Sequence, residues 1–337
     1  MKSGKYSRQI LFEPIGPTGQ QKLLAARVVI VGCGALGTAQ ANALVRAGVG
    51  TLRIVDRDYV DESNLQRQIL FDEADAADNL PKAVAAERKL RKINSEIAIE
   101  GVVADADHRN IEKLVESYQV ILDGTDNFET RYLLNDVALK LGIPWVYGAV
   151  VASYATTLTV LPGRTPCLAC VFPAPPHGMH DTCDTVGVIA PAVAWAAAIQ
   201  VTEALKILLG REAELHGALL AFDVWKNQTQ QVRPKIDLQC RACQRREFVH
   251  LESAASENTT LCGRDAVQIR PRQSRALDLS ALKNRLAQFG VVKGNEYLLR
   301  CKVDAFELTV FPDGRAIVKG TDDPAVARAL YAKYIGA

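Results

Sequence analysis

"RVVIVGCGALG", residues 27 to 37, is an apolar, β-branched run that breaks into a glycine-rich turn. The next residues, "TAQANALVRAGV", continue at helical spacing and end in a glycine-bearing turn. The order is strand, phosphate loop, helix. "TLRIVD" follows as a second strand, and "IAIEGVVAD", "QVILDGTDN", "IPWVYGAV" and "TTLTVL" supply further strands, separated by helical segments such as 81 to 93 and 129 to 141. Such alternation implies a Rossmann-like, doubly wound, mostly parallel α/β sheet.

The chain has 337 residues, enough for one domain of ordinary size with a smaller one attached. We place the first domain at 1–245, a linker at 246–260, where apolar periodicity is lost, and a small C-terminal α+β domain at 261–337. In that tail "LDLSALKNRLAQF" reads as a helix. Two strand segments follow, the second folded at Pro312-Asp313-Gly314, and Asp323-Pro324 opens a last helix. A net charge of +2 is too small to attract nucleic acid or a membrane surface by field alone, so neither is expected as a partner. "PAVAWAAAIQVTEALKILLG", 191 to 210, is interrupted by Gln200, Glu203 and Lys206, which favours a buried helix over a membrane span. No secretion signal is evident, and a cytoplasmic location is expected.

Gly32, Gly34 and Gly37 fit G-x-G-x-x-G, and Asp56 ends the second strand, where a carboxylate can accept bonds from ribose hydroxyls. These features suit a dinucleotide and a mononucleotide equally well. Asp58 either shares the ribose contact or caps the following turn, and Cys33 reads as a small filler side chain. The next stretch, "DRDYVDESNLQRQILF" (56 to 71), separates the two nucleotide readings. Hydride transfer breaks no phosphate bond and leaves Asn64 and Arg67 without a task. Attack on the α-phosphorus of ATP builds negative charge on that group and on departing pyrophosphate, and needs cations and donors held in place. Arg67 and Lys82 can supply the cations and Asn64 a neutral donor. "LDGTDN" offers Asp126 as a Mg2+-binding carboxylate, with Asp123 as the alternative; both aspartates can also be read as helix caps.

Eight cysteines in a chain expected to be cytosolic point to thiols or metal ligands rather than disulfides. Cys167-x-x-Cys170 and Cys240-x-x-Cys243 have the spacing for tetrahedral thiolate coordination of Zn2+. Cys183 stands apart, in "HDTCDTVGVIAP", on a segment that reads as a loop; His177 and His180 nearby would favour its thiolate. Cys262 and Cys301, in the tail, read as core or surface thiols.

The set "YSRQI", "GCGALG", "DRD", "SNLQRQ", Lys82, "GTDN" and the two Cys-x-x-Cys pairs, in this order, resembles the ThiF/MoeB/HesA family of ubiquitin-activating-enzyme-like adenylyltransferases over about residues 5 to 245. The resemblance implies adenylylation of the C-terminal glycine of a ubiquitin-fold sulfur carrier ending in Gly-Gly. It implies that Asp56 holds the ribose of ATP, that Asn64 and Arg67 touch its phosphates, and that Lys82 assists at the α-phosphate. Asp126 would bind Mg2+, and Arg8 would reach across a homodimer into the partner's nucleotide site. The four paired cysteines would hold a structural zinc, and Cys183 matches a position associated with sulfur transfer in thiazole-forming members. "GTDNFETRY", "LPGRTPCLACVFPAPP" and "TCDTVGVIAP" lean toward the thiamin type, with the molybdopterin-type carrier as the alternative. The tail lacks a recognisable rhodanese-type loop, so an external sulfur donor, such as a cysteine desulfurase, is expected. Two readings of other classes remain: a non-catalytic carrier-binding scaffold and an NAD-dependent oxidoreductase.

Overall fold

The structure is a computed structural model describing residues 4–174, 183–252, 258–261, 265–271 and 277–336. It divides into two compact units, Met1–Ser253 and Ala254–Ala337.

The first unit is built on strands β1 (Arg27–Val31), β2 (Thr51–Asp56), β3 (Ala98–Val103), β4 (Val120–Asp123), β5 (Trp145–Val151), β6 (Tyr154–Val160), β7 (Leu219–Asp223) and β8 (Gln228–Val232). They form one sheet in the order β3-β2-β1-β4-β5-β6-β7-β8. Pairing is parallel from β3 through β5 and antiparallel from β5 to β8. Side chains of β1 alternate between the two faces. Val28 and Ile30 join Leu52, Ile54 and Leu122 in a core shared with helices Ala35–Ala47, Lys82–Ile93 and Ala190–Leu209. Val29 and Val31 join Ile121 and Trp145 in the opposite core, under helix Phe128–Leu141. Each fully buried aliphatic side chain contributes about 2 kcal/mol, so a strand buried on both faces needs the continuous apolar run that β1 has. The chain runs outward from β1 in both directions, to β2 and to β4, and ligands of such sheets collect at this switch point beyond the strand ends.

Helix Ala190–Leu209 is long and apolar enough to cross a membrane by length and composition. Here it packs on β5 and β6, with Gln200 and Glu203 fully buried and hydrogen-bonded, which is the behaviour of a core helix.

Two parts of this unit differ from the sequence reading. Strands β7 and β8 extend the sheet although β8, "QTQQV", is exposed throughout and carries no apolar alternation. They are joined by a turn in which Asn227 takes the left-handed conformation (φ 55°) that asparagine tolerates. Residues 246–252, read as linker, are packed into the first unit. Phe248 is buried, and the backbone N–H of His250 donates to Asp136 Oδ2 (3.1 Å). A single buried aromatic among Arg, Glu and Ser gives no period to read.

The second unit is a six-stranded antiparallel sheet of β9 (Asn258–Leu261), β10 (Ala266–Ile269), β11 (Val291–Gly294), β12 (Leu299–Val303), β13 (Phe306–Val310) and β14 (Ala316–Lys319), in the order β11-β12-β13-β14-β10-β9. Leu308, Val310, Cys301 and Val318 pack with Leu286 and Ala327 of two helices, Leu279–Leu286 and Pro324–Tyr334. Asp278 and Asp323 cap those helices, and Cys301 is a core thiol. Cys262 lies outside the described residues.

Candidate active site

The glycine loop and the loop after β4 are held in backbone contact. Gly32 has φ 95°, and a β-carbon there would lie 2.5 Å from the carbonyl of Gly124. A β-carbon on Gly37 would lie 1.9 Å from Gly32 O, and one on Gly124 2.4 Å from the same oxygen. Gly34 is different. A β-carbon there meets only Gln68 Nε2, at 3.9 Å, so this backbone borders open space. Gly34 is also the N-cap of helix Ala35–Ala47, whose first-turn N–H groups and dipole favour an anion.

Asp56 lies against the same loop. Its Oδ2 accepts from Cys33 N (2.5 Å) and its Oδ1 from Asp58 N (2.7 Å), leaving further lone pairs for ribose hydroxyls. Burial pushes the Asp56 carboxyl above the usual range; Lys82 opposes this and Asp58 adds to it. Cys33 is buried, with its thiol toward Lys82 O (3.8 Å), and burial pushes its pKa up, in keeping with a filler rather than a nucleophile.

Lys82 opens helix Lys82–Ile93, its ammonium 3.7 Å from Asp58 Oδ2, and its backbone N–H donates to Asp58 O (2.9 Å). Asp58 therefore braces the lysine. Its side chain is also 3.8 Å from Arg57, which pairs with Asp105 (3.0 Å). Burial disfavours the Arg57 charge, but Asp105, Asp58 and Asp126 outweigh it and hold the guanidinium firmly charged. Arg57 was not singled out in the sequence, because an arginine between two aspartates reads as a surface residue.

Asn64 lies in a short 3-10 turn capped by Asp61. Its Oδ1 accepts from Arg67 Nη2 (3.2 Å) and Gln68 Nε2 (2.8 Å), and Arg67 Nη1 donates to Ser63 O (2.9 Å). Its amide nitrogen donates weakly to Ser63 Oγ (3.4 Å), so the whole side chain is held within this turn. Gln68, which carries no signal of its own in the sequence, ties Asn64 to the side of the turn that borders Gly34, where a β-carbon would lie 3.9 Å from its Nε2.

Asp126 is exposed, with the glycine-to-glycine contact of Gly32 and Gly124 setting its loop beside the phosphate loop. Asp123, the alternative metal ligand, is not accessible. It is fully buried, Oδ1 accepts from Thr125 N (2.9 Å) and Thr125 Oγ1 (2.7 Å), and Oδ2 faces Arg131. Nor do the aspartates cap helix Phe128–Leu141; Asn127 does, through Thr130 N (2.8 Å).

Cys167, Cys170, Cys240 and Cys243 converge, with all four sulfurs within 4.8 Å of one another. Individual separations are 3.8, 3.6 and 3.4 Å. A tetrahedral zinc with bonds of about 2.3 Å needs sulfur edges of about 3.8 Å, so the donor set and its size fit that ion. Helix Phe128–Leu141 braces both knuckles: Asn135 accepts from Leu168 N (2.9 Å), Tyr132 donates to Phe172 O (2.7 Å), and Asp136 faces Arg241 (3.7 Å).

Arg8 stands outside this assembly, and of Cys183 only the backbone is described. Arg8 is exposed on helix Ser7–Ile10 and forms no hydrogen bond or ion pair with the residues above. Cys183 begins a short helix, Cys183–Val186, while His177 and His180 lie outside the described residues.

A family model described as the ThiF family matches residues 6–242. Among curated proteins, the chain is 51% identical over 342 aligned residues to the sulfur carrier protein ThiS adenylyltransferase of Bacillus subtilis, covering 99% of this chain and 100% of that one. It is 35% identical over 260 residues to the sulfur carrier protein adenylyltransferase of Thermus thermophilus, covering 74% and 95%. Among solved structures, E. coli MccB with MccA-N7isoASN superposes with a TM-score of 0.64 at 22% identity, covering 72% of this chain and 75% of that one, a likeness of fold.

Proposed function

The chain belongs to the ThiF family, and from that premise we propose that it is an ATP-dependent adenylyltransferase acting on the C-terminal glycine of a ubiquitin-like sulfur carrier. The carrier is of the type that donates sulfur for thiamin thiazole biosynthesis, as the full-length similarity to the Bacillus protein supports. The observation that carries the reading is the contact between the glycine loop and the Gly124 loop, which gathers phosphate-binding backbone and the exposed Asp126 carboxylate around one point.

The carrier's terminal carboxylate, ionised at neutral pH, attacks the α-phosphorus of ATP; acyl-adenylate forms and pyrophosphate leaves. No general base is required, and catalysis rests on placement and charge neutralisation. Asp56 holds the ribose. The Asn64 amide and the Arg67 guanidinium contact the phosphates, and Lys82 stabilises charge at the α-phosphate. Asp126 would hold Mg2+, which when bound would supply charge neutralisation at the phosphates. The four cysteines hold a structural Zn2+, a closed site with no position for substrate.

The enzyme acts as a homodimer in which Arg8 reaches the partner's nucleotide. Leu11 and Phe12, three and four residues after Arg8, and Ile69, directly after Gln68, are large apolar side chains exposed at 72%, 60% and 58%, as an interface would use. Cys183 takes part in sulfur transfer to the activated carrier, with sulfur from an external donor.

The test is ATP–pyrophosphate exchange by purified protein with carriers ending in Gly-Gly, beside Asp126→Ala and Arg67→Ala. Exchange that depends on a thiamin-type carrier and vanishes in both folded variants supports the reading. Exchange with a molybdopterin-type carrier alone would reassign the partner, and full activity in both variants would overturn the site.

A further inference from the structure

We propose that Arg131 and Asp123 are positioning residues: together they fix the peptide from Gly124 to Asp126 and thereby set where the Asp126 carboxylate stands. This rests on the assignment of Asp126 as the metal-binding carboxylate.

Thr125, the residue before Asp126, is gripped at every polar group of its own. Its N–H and hydroxyl both donate to Asp123 Oδ1, at 2.9 and 2.7 Å, and its carbonyl accepts from Arg131 Nη2 at 2.8 Å. On the other side, Asn127 is fixed by capping the helix that carries Arg131. Behind the loop, the Asp123 carbonyl accepts from both Gln40 Nε2 (2.8 Å) and Gln200 Nε2 (2.9 Å), so the root of the loop cannot slide along the sheet.

Arg131 is itself immobilised. Its guanidinium lies 5.5 Å from the Phe128 ring centroid and 5.6 Å from that of Tyr147, and its side chain is 7% exposed. Arg131 Nε and Asp123 Oδ2 face one another at 3.5 Å. A buried ion pair is a poor way to gain stability, because the cost of desolvating both charges rivals their attraction. This one is spent on geometry. It supplies three directed bonds to a single residue and leaves Asp126 as the exposed side chain between two fixed neighbours.

The experiment compares Arg131→Lys, which keeps the charge and loses the donor to Thr125 O, with wild type and Asp126→Asn. Two quantities are read: the rise in melting temperature caused by Mg2+ at fixed ATP, and the Mg2+ concentration for half-maximal exchange. Arg131→Lys is expected to keep the carrier KM, to lose most of the Mg2+-dependent thermal shift, and to need on the order of tenfold more Mg2+. Thr125→Val, which removes only the hydroxyl bond, is expected to move the same way by about threefold, and it decides the matter should Arg131→Lys fail to fold. Wild-type Mg2+ dependence in the folded variants, with Asp126→Asn inactive, overturns the positioning role alone. Wild-type behaviour of Asp126→Asn overturns the metal assignment and this inference with it.

Discussion

Lys82 Nζ lies 3.7 Å from Asp58 Oδ2, with 6% of the lysine side chain exposed and 20% of the aspartate. A lysine so enclosed cannot drift to solvent, and its charge is presented at one place, beside the carboxyl of Asp56. Lys82→Met is expected to lower the rate of ATP–pyrophosphate exchange by two to three orders of magnitude, about the loss seen when one preorganised charge or donor is removed. Asp58 keeps Arg57 as a neighbour and keeps contact with solvent, so the variant is expected to fold. Circular dichroism beside the exchange assay checks this; exchange within threefold of wild type would remove Lys82 from the phosphate site.

The glycine positions are separable by their surroundings. Gly37→Ala places a methyl 1.9 Å from Gly32 O, against backbone that is itself locked to Gly124. We expect a loss of about 3 kcal/mol of stability, the upper range for overpacking, together with loss of nucleotide binding. Gly34→Ala meets only a side-chain amide at 3.9 Å and is expected to fold normally while binding ATP weakly, since its methyl occupies the phosphate's space. Urea unfolding and ATP titration of the two variants test the contrast; normal ATP affinity in Gly34→Ala would place the phosphates elsewhere.

The doubly wound sheet was legible because β1 and β4 are buried on both faces, and continuous apolar runs ending in glycine or aspartate have few other meanings. The cysteine cluster was legible for a similar reason: two short spacings record a geometric requirement. What escaped were residues whose importance is purely spatial. Gln40 and Gln200 meet at 2.6 Å across 160 residues of chain, and Arg131 acts on Thr125 from the next helix; single polar letters in helical segments carry no such message. Asp123 and Asp126 look equivalent in "LDGTDN", and only the turn of backbone between them buries one and exposes the other.

His216 sets a pH dependence of stability. Its Nδ1 accepts from Ala218 N (3.1 Å), and protonation there would abolish that bond. Burial holds its pKa below the ordinary value, against the pull of Glu203 and with the help of Lys206. The unfolded chain therefore binds the proton more readily than the folded one, and stability falls as pH drops below about 6.5 toward the folded value. His216→Asn, which keeps an acceptor but cannot titrate, is expected to show a shallower loss between about pH 7 and pH 5. His250, lowered mainly by burial, contributes with the same sign, so the slope is reduced and not abolished. Urea unfolding across that range is the measurement, and parallel slopes for variant and wild type would remove His216 from the account.

Zinc removal distinguishes a structural from a catalytic metal. The knuckles come from segments 73 residues apart, so a bound ion closes a long loop and should stabilise the fold. Yet each knuckle is also held to helix Phe128–Leu141 without the metal, by Leu168 N to Asn135, Tyr132 to Phe172 O, and Arg241 beside Asp136. A chelator, or Cys170→Ser, is therefore expected to lower the melting temperature by about 5 to 10 °C and leave a folded first unit. At a temperature below both transitions, the stripped protein should retain at least about a tenth of the exchange activity, because four thiolates leave the ion no open position for substrate. Metal analysis should give one zinc per chain before stripping. A stripped protein that stays folded and yet has lost exchange completely would mean that the ion takes part in the chemistry or orders the residues that do.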